Sequence, residues 1–181
     1  MPDTPFLVRP AVHADLPSLH PVIERAYRGD SARRGWTHEA DLLDDQRTDI
    51  ATLAAILGNE GEQLLVAELD GVIVGCVQIS DRGRGTAYLG LLCIDPDRQA
   101  GGLGKQLVAA AEAQAVRMFK AERMEMTVID SRTELIRYYE RRGYSDSGET
   151  RPFPVLVEPP LQFTVLIKTL PTGAIDATAL A

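Results

Sequence analysis

Apolar residues in the first third of the chain recur at helical spacing. The segment PFLVRP predicts a short first strand that ends at Pro10, and HADLPSLHPVIERAYR predicts a helix. The apolar stripe of that helix consists of Leu16, Leu19, Ile23 and Ala26. Two further short helices are predicted over Thr37 to Asp45 and over Thr48 to Leu57, before the pattern changes.

The middle of the chain has the apolar character and the turn signals of β-strands. The segments EQLLVAEL and VIVGCVQIS are joined by Asp70-Gly71, which is a strong signal for a two-residue hairpin turn. A third segment, TAYLGLLCI, follows the glycine-rich turn DRGRG. We therefore predict that these three strands form an antiparallel meander.

The second half of the chain alternates helices and strands. The segment RMEMTVI predicts a strand with Met124, Met126 and Val128 on one face. Ser131, with Glu134 three residues later, has the pattern of a capping box, so we expect a helix there that ends at Gly143. The segments YSDSGE and LQFTVLIKTL predict the last two strands. The helix that precedes RMEMTVI carries an apolar stripe: Leu103, Leu107, Ala111, Ala115, Met118.

The order of the predicted elements is β-α-α-β-β-β-α-β-α-β-β. The natural packing of such elements is a mixed sheet flanked by helices, which is an α/β (α+β) fold. The chain has 181 residues, 45% hydrophobic and 25% charged, as is typical of one ordinary globular domain. We expect a single domain over 1–170 and a loose C-terminal tail over 171–181.

Charge and hydropathy exclude some classes of function. The formal net charge of -7 disfavours a nucleic-acid-binding protein, which usually has a basic face. No apolar run approaches the roughly 20 residues of a membrane span, and the first residues lack the pattern of a signal peptide. We therefore expect a cytoplasmic protein without a membrane or nucleic-acid partner. Cys76 and Cys93 lie in apolar segments without zinc-site spacing, so we expect no disulfide and no metal.

Three glycines in four residues stand at the start of a predicted helix, in the segment CIDPDRQAGGLGKQLVAAAEAQ. The N–H groups at a helix N-terminus are unpaired and carry the positive end of the helix dipole, so a glycine-rich turn there suits a diphosphate. The segment is not a P-loop, because Gln99 replaces its first glycine and Gln106 its Ser or Thr. It is not a dinucleotide fingerprint either, because Leu107 stands where that motif has Gly or Ala.

The segment from Gln99 to Gly104 has the pattern Gln/Arg-x-x-Gly-x-Gly/Ala after an apolar strand and a proline. This pattern resembles the pyrophosphate loop of the GCN5-related N-acetyltransferases, the GNAT superfamily. ELIRYYERRGY resembles a later segment of that family, and LVRPAVHADLPSL resembles its opening. The resemblance covers about Phe6 to Leu170 and implies a mixed, mostly antiparallel sheet of about seven strands flanked by helices.

The resemblance implies where acetyl-CoA binds. The backbone of Leu92, Cys93 and Ile94 is expected to pair with the pantetheine arm like an added strand. Arg98 and Lys105 either add charge near the pyrophosphate or are solvated surface cations. Arg132 replaces an asparagine of many relatives, and it either reaches a phosphate or an acidic substrate or is an ordinary helix-start arginine. The N–H groups expected to hold the pyrophosphate are those of Gln99, Ala100, Gly101, Gly102, Leu103, Gly104 and Lys105.

The resemblance also assigns the general acid to Tyr139, which precedes Glu140 as the family tyrosine does. An ordinary tyrosine pKa of about 10 keeps this hydroxyl protonated at neutral pH, whereas Tyr138 is expected to pack. No glutamate lies in TAYLGLLCI, where several relatives have a general base, so the amine proton leaves through water or through a carboxylate elsewhere, such as Glu68. An acyl-enzyme on Cys93 is disfavoured because no histidine is close in sequence.

The acceptor is expected near the first helices and their loop. Five residues are candidates for the acceptor entrance: Tyr27, Arg28, Arg34, Trp36 and His38. The arginines favour an acceptor with a carboxylate, although core packing explains Trp36 equally well.

The predicted function is transfer of the acetyl group of acetyl-CoA to a primary amine of a small molecule, amino acid or peptide, in a ternary complex. The alternative is a CoA-binding sensor or interaction module without turnover. Two points stay open at this stage. A longer acyl-CoA is a possible donor, and LQFTVLIKTL either pairs across a homodimer or is covered within one chain.

Overall fold

The protein is built around one mixed β-sheet. A computed structural model describes residues 6–28, 46–99 and 101–172. The strands have the order β1-β2-β3-β4-β5-β7-β6, and only β4 and β5 are parallel. The predicted mixed, mostly antiparallel sheet is thereby confirmed. The strands are β1 (Phe6–Pro10), β2 (Glu62–Leu69), β3 (Val72–Asp81), β4 (Thr86–Ile94), β5 (Arg123–Ile129), β6 (Ser145–Pro152) and β7 (Gln162–Thr169).

Helices cover both faces of the sheet. The described helices are α1 (Leu16–Tyr27), α2 (Ile50–Leu57), α3 (Leu103–Phe119) and α4 (Thr133–Glu140). Buried side chains of α1 and α2 share one core with Leu64 and Val66 of β2, whereas those of α3 and α4 share a second core with Leu65 and Ala67. Since neighbouring strand residues point to opposite faces, α1 and α2 lie on one face and α3 and α4 on the other.

Local sequence signals predict several elements correctly. Asp70 and Gly71 both have positive φ, at 53° and 77°, and Leu69 pairs with Val72, so the predicted two-residue hairpin is formed. The predicted stripe of α1 is buried. The strand face formed by Met124, Met126 and Val128 is also buried.

Two helix starts differ from the prediction. Helix α2 begins at Ile50 instead of Thr48, because the Asp49 side chain accepts from the backbone N–H of Thr52 at 2.7 Å and caps the helix. Helix α4 begins at Thr133, and no side chain caps it. The expected capping box is absent. The helix predicted over Thr37 to Asp45 lies outside the described residues.

The α3 stripe and the last strand also refine the prediction. Four of the five stripe residues are buried, but Met118 is 40% exposed near the end of the helix. Strand β7 lies between β5 and β6, so LQFTVLIKTL is covered within one chain and is not free to pair across a dimer. Within the described ranges, no helix has the length and apolar character needed to cross a membrane. Most of the predicted tail, 173–181, lies outside them.

Candidate active site

Strand β4 has an open edge inside the sheet. It pairs with β5 only where residues 86–88 face residues 123–125. Beyond this point the two strands form no further pairs, and a cavity of about 370 Å³ lies between them. Residues 89–92 and 126–129 form its two strand walls. The cavity thus leaves a strand edge accessible at the centre of the molecule.

A β-bulge in β4 accompanies this separation. Gln78 of β3 faces Gly90, and Cys76 faces Cys93, so β4 has one residue more than β3 between these pairs. Leu91 lies within the bulge at a positive φ of 48°. Bulges bend a strand and increase its twist. The bulge therefore explains why β4 leaves β5 at this position while it remains paired with β3.

Tyr139 lies in the wall of the cavity on the face covered by α3 and α4. It is 5% exposed, and its ring packs edge-on against Tyr138 and Tyr144 at centroid distances of 5.3 and 5.9 Å. Burial raises the pKa of Tyr139 above its ordinary value, and the nearby Tyr138 raises it further. The hydroxyl is therefore protonated at neutral pH, as the predicted role of general acid requires.

The lining of the cavity carries positive charge. Arg47 and Arg132 are among the lining residues, and within the described part of the chain no Asp or Glu is. The Arg132 side chain is 13% exposed, and its Nε donates to Glu134 at 2.9 Å. This contact engages the glutamate that was expected to cap α4. The cavity therefore has hydroxyl and guanidinium groups but, among the described residues, no carboxylate to act as a general base.

Glu68 lies in a different environment. Its carboxylate accepts from Nε and Nη2 of Arg9 at 3.1 Å, and Arg9 also pairs with Asp15 at 2.8 Å. Arg9 holds the pKa of Asp15 below its usual range. Glu68 does not line the cavity. The structure therefore gives no support to Glu68 as the base.

The glycine turn before α3 has a bare, open backbone. Gly101 and Gly102 have φ values of 82° and 74°, and nothing lies within 4 Å of a Cβ added at either position. Gly102 is the N-cap of α3, and no side chain caps the helix there. The first intrahelical bond runs from the Gln106 N–H to the Gly102 carbonyl, at 3.1 Å. The earlier N–H groups of Leu103, Gly104 and Lys105 therefore have no acceptor within the helix.

Two cations flank this turn. Arg98 and Lys105 are both exposed, and no ion pair to either is found in the described ranges. The Gln99 side chain donates to the Ile94 carbonyl at 3.2 Å, which ties the turn to the end of β4. Ala100 lies outside the described residues. The turn thus offers backbone donors and positive charge at one end of the open strand.

The three β4 residues expected to contact pantetheine differ in their surroundings. Leu92 lines the cavity, and its carbonyl accepts a hydrogen bond from the Tyr27 hydroxyl. Cys93 and Ile94 pair with β3 and do not line the cavity. The Cys93 side chain is buried against Cys76, with the two sulfurs 3.7 Å apart. The contact with Cys93, together with burial, raises the pKa of the Cys76 thiol. These buried thiols give no support to an acyl-enzyme.

The predicted acceptor residues are only partly described. Tyr27 lines the cavity, whereas Arg28 does not and instead contacts the Tyr27 carbonyl through its guanidinium. The other three, Arg34, Trp36 and His38, lie outside the described residues.

Arg47, Tyr88 and Thr127 are among the polar cavity residues that sequence reasoning missed. The Tyr88 hydroxyl and Thr127 Oγ1 lie 2.7 Å apart across the two strands, although 39 positions separate them in sequence. Arg47 lies next to a predicted helix start, where an arginine is ordinarily solvated. Only the packing of α1 against the sheet brings Arg47 to the cavity, so no local signal could have found it.

The fold and the cavity together have the features expected of a CoA-dependent acyltransferase. A glycine turn whose first helical N–H groups have no acceptor within α3 lies at one end of an open strand, and a protonated tyrosine lies beside that strand. A family model described as the acetyltransferase (GNAT) family matches residues 22–144. The chain belongs to this family.

Solved structures with the same fold come from several bacteria. The ribosomal-protein-S18-alanine N-acetyltransferase of Escherichia coli is 15% identical with a TM-score of 0.71, over 95% of this chain and 98% of that chain. yncA of Salmonella typhimurium, a putative acetyltransferase solved with its cofactor acetyl-CoA, is 22% identical with a TM-score of 0.70, over 95% and 98%. A spermidine N-acetyltransferase chimera of Vibrio cholerae SpeG and hSSAT is 13% identical with a TM-score of 0.70, over 91% and 95%. No curated protein matches the chain.

Proposed function

We propose that the protein transfers the acetyl group of acetyl-CoA to a primary amine by direct attack in a ternary complex. The observation that carries this proposal is the position of Tyr139, whose protonated side chain lines the cavity between the separated strands β4 and β5. Family membership supports acetyl transfer as the reaction class. The solved relatives named for spermidine and for a ribosomal-protein alanine support an amine as the acceptor.

The residues around the glycine turn fit a diphosphate. Gly101 and Gly102 leave the backbone open, and the N–H groups at the start of α3, which have no acceptor within the helix, provide donors with a favourable helix dipole. Arg98 and Lys105 add positive charge at the same end of the molecule. In this proposal the turn holds the pyrophosphate of acetyl-CoA, and the pantetheine arm follows the open edge of β4 into the cavity.

One hydrogen bond already present at the edge of β4 limits how the pantetheine arm can pair with this strand. The Leu92 carbonyl already accepts a hydrogen bond from the Tyr27 hydroxyl. The pantetheine arm therefore meets β4 at a point where one backbone acceptor is already used. This bond fixes Tyr27 against the strand and shapes the acceptor side of the cavity. Cys93 and Ile94 keep the strand in register with β3 and act on the arm through the backbone alone.

The chemical step requires one proton donor from the protein. The amine nitrogen attacks the thioester carbonyl carbon, the carbon–sulfur bond breaks, and the departing thiolate takes the Tyr139 hydroxyl proton. The amine loses its own proton to water or to a carboxylate other than those of the described lining, which contains no Asp or Glu. Tyr139 is then reprotonated from solvent. Most of the rate enhancement in this scheme comes from alignment of the two substrates in the cavity.

Calorimetric titration of acetyl-CoA tests the proposal. The wild type is expected to bind, and Gly102→Glu is expected to lose binding, because a carboxylate then lies where the pyrophosphate is held. Gly148→Glu is the matched control, since Gly148 of β6 also has a positive φ, of 81°, with nothing within 4 Å of its Cβ. This control is expected to bind as the wild type does.

Three outcomes separate the alternatives. Absence of binding in the wild type contradicts the proposal, and binding that survives in folded Gly102→Glu contradicts the assignment of the turn. Binding without acetyl transfer to any amine in a broad panel favours a CoA-binding sensor instead. Transfer from acetyl-CoA supports the enzyme, and transfer from longer acyl-CoA thioesters in the same assay reports the range of donors.

A further inference from the structure

One cation in the cavity has no role in the proposed chemistry. The Arg47 side chain is half-buried and lines the cavity, and its guanidinium lies over the Tyr27 ring at 5.0 Å from the centroid. This distance is within the range of a cation–π contact. In the described ranges, no carboxylate lies within ion-pair distance of Arg47.

The backbone around Arg47 is held firmly. Both oxygens of the Glu24 carboxylate accept at 3.0 Å, one from the Arg47 N–H and one from the Thr48 N–H. Tyr27, beneath the guanidinium, is buried and donates to the Leu92 carbonyl. Arg47 is therefore positioned by two residues of α1, and one of them, Tyr27, is itself bonded to β4, which reduces the entropy lost when the Arg47 guanidinium binds a ligand.

Arg47 and Arg132, the two arginines of the described lining, differ in their ion-pair partners. Arg132 has Glu134 as a partner at 2.9 Å. A half-buried guanidinium next to an aromatic ring loses part of its hydration, and an oxyanion from a ligand restores that loss through charge-assisted hydrogen bonds. The site is thus complementary to an anion that the described lining does not itself contain.

The position of Arg47 assigns this anion to the acceptor. Tyr27, which Arg47 contacts, belongs to the face of the sheet covered by α1 and α2, whereas Tyr139 and the N-terminus of α3 belong to the face covered by α3 and α4. In the proposed function acetyl-CoA extends from the glycine turn on the α3 face toward Tyr139. The Arg47 side of the cavity is then left for the amine.

We propose that the acceptor is a small amine that carries a carboxylate, as amino acids do, and that Arg47 binds this carboxylate. The inference rests on the proposed function, because it names the substrate class of the same cavity. It differs from the expectation based on Arg28 and Arg34, since Arg28 does not line the cavity and Arg34 lies outside the described residues. Arg47 acts here as a specificity-determining residue and takes no part in proton transfer.

Acetylation of matched acids and amides tests the inference. The probes are the common α-amino acids, β-alanine and γ-aminobutyrate, each with its carboxamide, with spermidine as a cationic amine. For the best acceptor we expect kcat/KM to be about tenfold or more higher for the acid than for its amide. This test is stringent, because the amine of an amide is less basic and has more free base at neutral pH.

Two variants locate the preference. Arg47→Gln is expected to bind acetyl-CoA and to lose the acid-over-amide preference, mainly through a higher KM for the acid. Arg82→Gln is the matched control, because the Arg82 guanidinium also lies over a tyrosine ring, that of Tyr88 at 4.7 Å, but Arg82 does not line the cavity. It is expected to keep the preference.

The failure of this inference is distinguishable from failure of the proposed function. If the wild type does not bind acetyl-CoA, both the proposed function and the inference about Arg47 are contradicted. A wild type that binds acetyl-CoA and acetylates amides or spermidine as well as acids, or acetylates no acid at all, overturns the inference and leaves the cofactor site intact. An acid preference that persists in Arg47→Gln overturns the role of Arg47.

Discussion

The two parts of β4 have different partners and different uses. Residues 86–88 pair with β3 or its turn on one side and with β5 on the other. Beyond residue 88, β3 is the one strand of the described chain that β4 pairs with, through residues 89, 90, 93 and 94, and the cavity lies along part of the free edge of β4. The first part closes the sheet, whereas the second part leaves a strand edge open for a ligand. One strand therefore contributes both to stability and to the candidate site.

A small number of contacts marks the boundary between these two parts. Tyr88 forms the last strand pair with Glu125, and its hydroxyl bonds Thr127 just beyond that pair. The bulge at Leu91 follows three residues after Tyr88. A sheet normally continues to pair because unpaired backbone groups are costly when buried. The bulge interrupts this continuation, so the cavity is a built feature of β4. Substitutions on either side of the boundary are expected to affect different properties.

The largest effect is expected in the open part, from Tyr139→Phe. Loss of a positioned general acid is expected to reduce kcat about 100-fold or more, with little change in acetyl-CoA affinity, because the phenyl ring keeps its contacts with Tyr138 and Tyr144. Tyr144→Phe is the matched control. It removes a buried hydroxyl that donates to Glu112 and does not line the cavity, so its kcat is expected to stay near that of the wild type.

The pH dependence of kcat/KM tests the same assignment of Tyr139 as the general acid. Because the pKa of Tyr139 is raised above its ordinary value of about 10, the acid form persists across the neutral and mildly alkaline range. The wild-type kcat/KM is expected to rise as the amine loses its proton and to show no falling limb below about pH 10. A falling limb near neutral pH, or an unchanged kcat in Tyr139→Phe, contradicts the assigned role.

The next largest effect is expected on stability alone, from a substitution in the closed part of β4's surroundings. Met124 is fully buried beside the closed part of β4, and Met124→Ala is expected to reduce the free energy of unfolding by about 2–5 kcal/mol. Acetyl-CoA affinity of the folded variant is expected to be unchanged, because Met124 does not line the cavity.

Met126→Ala is the matched change in the open part. Met126 is equally well buried from solvent but lines the cavity, so truncation enlarges an existing space and is expected to destabilise the protein less. The same enlargement is expected to alter donor or acceptor binding. Denaturant unfolding and calorimetry compare the two variants, and identical behaviour would contradict the division of β4 into two parts.

The smallest effect is expected at the boundary itself. Tyr88→Phe and Thr127→Val each remove one partner of the 2.7 Å hydrogen bond and are expected to cost about 0.5–1.5 kcal/mol of stability. The double variant is expected to cost less than the sum of the single variants, since the two groups interact directly. Strict additivity in a double-mutant cycle would show that this bond does not hold the boundary together.

Much of the fold could be predicted from local sequence patterns. The Asp70-Gly71 turn, the apolar stripe of α1 and the alternating face of β5 are confirmed, because each depends on residues within one element. The start of α4 was predicted wrongly because it depends on residues outside the helix as well as on the local sequence. Arg132 contacts the glutamate that local pattern assigned to a capping box, and its side chain is held in the wall of a cavity formed by distant strands.

The sequence by itself indicated the family and, through that resemblance, the glycine turn and the candidate acid, since short motifs that are contiguous in the chain carry the resemblance. Only the tertiary structure decided that β4 parts from β5, that Cys76 meets Cys93, and that Arg47 lies over Tyr27 in the cavity. Strand register and helix packing bring such residues together across the sheet. Their proximity depends on the sum of many weak contacts, which no local motif records.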